Sequence, residues 1–151
     1  MKRFNFRLER IRELRERAAR ERAAVLGAAM HVERQQQHVL DQARLEYERA
    51  GTQAAEALEA APVHAGVLRN IDLARAVAAL RVDAASESLR EASEQVDEEQ
   101  ARYGEARRDL RVVEKLKEKR FEAWRDEGAR EEQKETDGVA QNRHTTREER
   151  T

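Results

Sequence analysis

The stretch "EALEAAPVHAGVLRNI", Glu56 to Ile71, decides the fold, because it holds Pro62, the only proline of the chain, close to Gly66. Proline removes a helical N–H and clashes with the preceding turn, and glycine releases the backbone, so this pair marks a chain reversal. On either side the sequence is rich in Ala, Leu, Arg, Glu and Gln, all good helix formers, and it predicts a first helix from about residue 4 to 60 and a second from about 67 to 137. Residues 61–66 then form a hairpin tip.

Helices of this length, on the order of 80 and 100 Å at about 1.5 Å per residue, need a partner along most of their course. The heptads point to each other. In the first segment Phe4, Ile11, Ala18, Val25, Val32 and Val39 recur every seven residues, joined four residues on by Leu8, Ala29, Ala43, Ala50 and Ala57. In the second, Leu68, Val82, Leu89, Val96, Tyr103, Leu110 and Trp124 keep the same spacing, with Ile71, Ala78, Ala85, Ala92, Ala106 and Val113 three residues on.

Folding the chain back at the tip brings together residues whose numbers sum to about 128, as an antiparallel pair requires. Val39 then meets Leu89, Val32 meets Val96, Val25 meets Tyr103, Ala43 meets Ala85 and Phe4 meets Trp124. The expected fold is all-α: a long two-helix antiparallel coiled-coil hairpin over residues 1–137, followed by a flexible tail over 138–151, where apolar periodicity gives way to Gly, Asn, Thr and charge. Phe121 and Trp124 are expected to close the open end against Phe4, Phe6 and Leu8. Arg15, Arg22, Gln36, Glu46, Gln53, Arg75, Glu99, Lys117 and Arg120 interrupt the seam, where long side chains can lay their stems on it.

The composition agrees with a slender rod. Of 151 residues 40% are charged and 39% apolar, and many predicted layers are alanine, which buries little area. The net charge of −1 hides an uneven distribution: Met1–Arg22 carries nine basic and four acidic residues, Asp83–Ala101 one basic and seven acidic. There is no cysteine, hence no disulfide or thiol chemistry. No run approaches the roughly 20 apolar residues of a membrane span, and "MKRFNFRLER" lacks the apolar core of a secretory signal, so a cytoplasmic location is expected.

Candidate chemistry is sparse. His31 and His38 lie one heptad apart, about 10 Å along a helix, too far for a compact metal pair. Ser86, Ser88 and Ser93 lie on an acidic helix face without an elbow or cradle, and no Gly-rich phosphate loop exists. An enzyme, a cofactor and a metal are therefore not expected. The basic N-terminus suggests nucleic acid, but Glu13 with Arg17 and Glu16 with Arg20 are i, i+4 pairs that neutralise much of it, and no nucleic-acid partner is expected. Glu87 with Glu91 and Glu94 with Glu98 are like-charge pairs that read equally as a solvated face or a strip for a basic partner.

Two stretches that the hairpin brings together, "KRFNFRLERIRELRE" (Lys2–Glu16) and "VEKLKEKRFEAWRDEGAREEQKETDGVA" (Val113–Ala140), resemble the FliJ family of the bacterial flagellar type III export apparatus. The matching positions are Phe4, Phe6, Leu8 and Glu9 at the start, and Leu116, Trp124, Arg130, Gln133, Lys134, Asp137 and Ala140 at the end. The resemblance implies a non-enzymatic stalk, similar in fold to the central stalk of rotary ATPases. Such a stalk inserts into the hexameric export ATPase, contacts the membrane-embedded export gate at the cytoplasmic face of the inner membrane, and handles export chaperones. It implies Arg130, Gln133, Lys134 and Asp137 as the ring-binding residues, and these lie past the point where the first helix can cover them. Gly138 departs from the family pattern of an acidic residue in continuing helix, and could stop the helix at Asp137. The alternatives are the equivalent stalk of a host-injecting secretion system, or a coiled coil that self-associates; a hairpin is expected to be a monomer of 17.5 kDa.

Overall fold

Two helices account for nearly all of the described chain: α1, Glu9–Glu59, and α2, Ala65–Glu148. The computed structural model describes residues 3–59 and 64–148, with the side chains of α2 described to residue 136. Pro62, Val63 and the rest of 60–63 therefore lie outside the described residues, as do 149–151 of the expected tail. Among the described residues there is no strand. The chain divides into two compact units: one formed by the residues up to Ala19 with those from Ala106 onward, the other by Arg20–Glu105.

In the unit Arg20–Glu105 the helices run antiparallel around a core of Leu40, Ala43 and Ala85, with Val82 and Leu89 packed against it. Glu46 and Arg81 form a cross-helix ion pair at 2.9 Å beside this core. The remaining buried positions here are mostly alanine, Ala54, Ala78 and Ala92, with Val96. Small side chains let two backbones approach closely, while removing little area from water per layer.

The columns of α2 fall where the heptads predict them except at their start, where Leu68 is exposed. Ala78, Ala85, Ala92 and Val96 are buried, and Val82, Leu89, Tyr103, Ala106 and Val113 half-buried. On α1 the predicted column of Ala29, Ala43, Ala50 and Ala57 also turns inward. Its companion is corrected by one residue. Val25, Val32 and Val39 remain 45–47% exposed, whereas Leu40 is 3% exposed and Leu26 half-buried. The leucines reach further across the seam than the valines beside them, and the column they belong to continues through Ala19 and Ala54, both buried. Leu89 accordingly packs against the cluster that contains Leu40.

Among the described residues Glu99 is the buried charged one, 4% exposed on the α2 seam. Its Oε1 accepts from Gln95 Nε2 at 3.2 Å and from Arg102 Nη1. Its Oε2 has no hydrogen-bond partner and faces Arg22 of α1 at 3.7 Å. A carboxylate left partly unsatisfied in a seam costs stability unless the opposing cation compensates it.

The other unit begins differently from expectation. Residues 3–6 are not helical, and α1 opens only at Glu9, whose N–H donates to the Phe6 carbonyl at 3.0 Å. Non-helical backbone places alternate side chains on one side, so Phe4 and Phe6 both turn to α2, which a helix would not allow two residues apart. At the other end α2 does not stop at Gly138 but runs to Glu148. One interior glycine costs a helix only about 1 kcal/mol, too little to end it alone.

Candidate functional site

The termini of the chain build a site from three aromatic rings. Phe4 meets Phe121 edge-on, ring centroids 5.2 Å apart at 82°, and Trp124 at 5.7 Å. Phe121 and Trp124, three residues apart on α2 and hence neighbours on one face, lie 5.6 Å from each other. Edge and tilted contacts are the arrangements that ring quadrupoles favour. Phe6 is buried below them, Leu8 half-buried, and the Lys117 ammonium stands 6.0 Å from the Phe6 ring centroid. The expected terminal residues Phe4, Phe6, Leu8, Phe121 and Trp124 thus all lie in this unit, with Phe121 still 45% exposed.

A chain of charges borders the rings. Lys117 Nζ donates to Glu9 Oε2 at 2.8 Å across the helices, Arg12 Nε donates to Glu9 Oε1 at 2.8 Å, and Arg12 Nη1 donates to Glu16 at 3.1 Å. The hydrogen bonds from Lys117 and then Arg12 hold the Glu9 carboxyl below the usual carboxylate range. Arg12 is raised in turn, chiefly by its hydrogen bond to Glu9. One turn further along, Arg15 pairs with Asp109 at 2.6 Å. Lys117 and Arg15 were legible as polar seam positions but not as pairs; the expected register puts Glu9 opposite residue 119 and Arg15 opposite 113, each within about one helical turn of its observed partner.

Phe4, Arg12, Glu114, Lys117, Glu118 and Phe121 line an open groove of about 620 Å³. Beyond the rings, Gly128 is buried, and Arg130, Gln133 and Lys134 are exposed on α2, past the level of the first described residues. Asp137 lies within α2, but its side chain is outside the described residues. Arg130, Gln133 and Lys134 of the expected ring-binding set therefore form an exposed helix surface rather than a pocket.

Among the described residues no group of His, Cys, Asp and Glu is placed to hold a metal ion. His38 shares a hydrogen bond with Gln42 at 3.0 Å, and His31 is exposed. No helix among the described residues is long and apolar enough to cross a membrane. The arrangement offers docking surfaces, with shallow grooves and exchangeable ion pairs.

Comparison with known proteins agrees with that geometry. A family model described as "Flagellar FliJ protein" matches residues 4–149. No curated protein and no solved structure matches the chain.

Proposed function

The chain belongs to the FliJ family and is a component of the flagellar protein-export apparatus, and on that footing we propose that it acts as a non-enzymatic coiled-coil stalk. The stalk links the hexameric export ATPase to the membrane-embedded export gate, and assists the handling of export chaperones. The observation that carries this reading is the terminal unit. Its rings fasten the start of the chain to α2, while α2 goes on to present exposed Arg130, Gln133 and Lys134 to another molecule. In this reading Arg130, Gln133, Lys134 and Asp137 face the ring. The chain works as a monomer at the cytoplasmic face of the inner membrane, held there through its partners.

Polar contacts suit a stalk that must slip and re-form its contacts, because they are weak singly and exchange readily. A different surface supports the link to further export components. In the unit Arg20–Glu105, Leu73, Val77 and Leu80 follow the i, i+4, i+7 spacing of one helix face and are 64%, 41% and 67% exposed. An apolar helix face of that kind fits into a partner's groove.

Replacing Gln133 and Asp137 together by Ala tests the reading. Helix content and Tm are expected to stay nearly unchanged, within about 0.5 kcal/mol of stability, as exposed substitutions do. Co-purification with the export ATPase, with and without nucleotide, is expected to fall. Undiminished ring binding by the double variant would remove these residues from the interface. The self-associating alternative would show as a solution mass twice 17.5 kDa.

A further inference from the structure

We infer that residues 107–118 of α2 form a second docking surface, built to receive an α-helix whose acidic ridge lies against Arg107, Arg111 and Lys115. These three basic residues follow one another at i, i+4 and i+8, the spacing of a helix-surface ridge. Glu114 and Glu118, again four apart, form the parallel ridge beside it. Between the two ridges runs a groove of about 350 Å³, lined by Arg107, Arg108, Arg111, Glu114, Lys115 and Glu118. All of it lies within the unit that contains the termini.

What points outward is how these charges are left. Three other arginines are matched along their own helix, Arg12 by Glu9 and Glu16, Arg90 by Glu87 and Glu94, and Arg102 by Glu98 and Glu99. Each of these has an acid three or four residues before it, the favourable direction for a helical pair. Arg107, Arg111 and Lys115 have none at those positions, and each finds its neighbour four residues away to be another cation. Among the described residues none of the three, nor Glu114 or Glu118, enters an ion pair. Like charges at i, i+4 oppose the helix by a few tenths of a kcal/mol per pair, and although Glu114 and Glu118 follow Arg111 and Lys115 by three residues, neither closes an ion pair that would offset it. A partner's opposite ridge would.

The acidic ridge also selects the kind of partner. A phosphate-rich strand or an anionic membrane would meet Glu114 and Glu118 along with the cations. A helix with an acidic i, i+4 row and a basic row beside it meets both, and ridge-into-groove packing crosses such helices at about 50°. A second copy of this chain fits less well. Its own acidic row Asp83, Glu87 and Glu91 has Glu87 already held by Arg90 at 2.5 and 3.0 Å. This surface does not depend on the ATPase contact proposed for Arg130, Gln133, Lys134 and Asp137.

The test uses the full chain and a synthetic 21-residue helical peptide with a glutamate row and an adjacent lysine row, roughly six helical turns long. The control is a peptide of the same composition with the charge order scrambled. Binding by fluorescence anisotropy is expected for the ordered peptide, weakening as salt rises. It is expected to drop at least tenfold in the Arg107→Glu, Arg111→Glu, Lys115→Glu variant, with circular dichroism unchanged and binding restored by a peptide whose two rows are exchanged. Equal binding of the ordered and scrambled peptides, or binding of neither, overturns the inference. So does a charge-reversal loss seen instead with phosphatidylserine vesicles, with polyphosphate, or as concentration-dependent self-association in the ultracentrifuge.

Discussion

Replacing Phe4 by Ala isolates the aromatic end, because Trp124, the only tryptophan of the chain, remains to report on it. Phe4 is half-buried and touches both Phe121 and Trp124. Removing the ring returns roughly 80–100 Å² of apolar contact to water, about 2 kcal/mol at ~25 cal/mol/Å². Two ring pairs at about 0.5 kcal/mol each bring the total to about 3 kcal/mol. The loss falls locally, since residues 3–6 have no helix to hold them. Opening of the end is therefore expected to become about a hundredfold more frequent, at ~1.4 kcal/mol per tenfold. Hydrogen exchange reads this at the Glu9 and Arg12 amides, which donate to the Phe6 and Leu8 carbonyls at 3.0 and 2.9 Å. Those amides are expected to exchange much faster, with Trp124 emission shifted to the red, while protection within Arg20–Glu105 is retained. Unchanged exchange and emission would refute the claim that the rings fasten the end.

The corrected seam predicts that Leu40→Ala costs about 2–4 kcal/mol in denaturant unfolding and Val39→Ala less than about 1; the reverse order would restore the valine column. Around Glu99, Arg22→Ala is expected to lower Tm by a few degrees, about 1 kcal/mol, because it leaves a buried carboxylate less compensated. Glu99→Leu is expected to hold or raise Tm, and a strong loss would show that the pair stabilises the seam. Glu9 titrates below its ordinary range when folded, so its contribution is present at neutral pH and lost as pH falls through that lowered pKa. Lys117→Met should move the Glu9 titration, followed by NMR, back toward the ordinary value near 4.3, and an unmoved titration would deny the cross-helix hydrogen bond its role.

Why some of this was legible in the sequence and some was not follows from particular residues. On α2 each column is unambiguous, because Val82, Leu89, Val96 and Leu110 have polar or small residues on their outer flanks. On α1 two neighbouring columns both repeat every seven residues, one through Val25, Val32 and Val39, the other through Leu26 and Leu40. A rotation of about 100° exchanges them without altering the period, so packing rather than pattern decides. Phe4 and Phe6, two apart, already carried the sign of extended backbone, but the neighbouring heptads absorbed Phe4 into the helix. Gly138 misled through its reputation as a stop signal, since no proline or cap accompanies it. The exposure of Arg130, Gln133 and Lys134 followed from length alone: nothing on α1 is numbered low enough to cover them.

An axial stalk has one place to stand in a six-membered ring, whereas a protein that binds the outside of each subunit has six. Native mass spectrometry of the purified chain with the assembled export ATPase counts them directly. A complex of one 17.5 kDa chain per hexamer is expected, lost when Gln133 and Asp137 are both replaced. Six chains per hexamer, or a single-chain complex that the double replacement leaves intact, would contradict it.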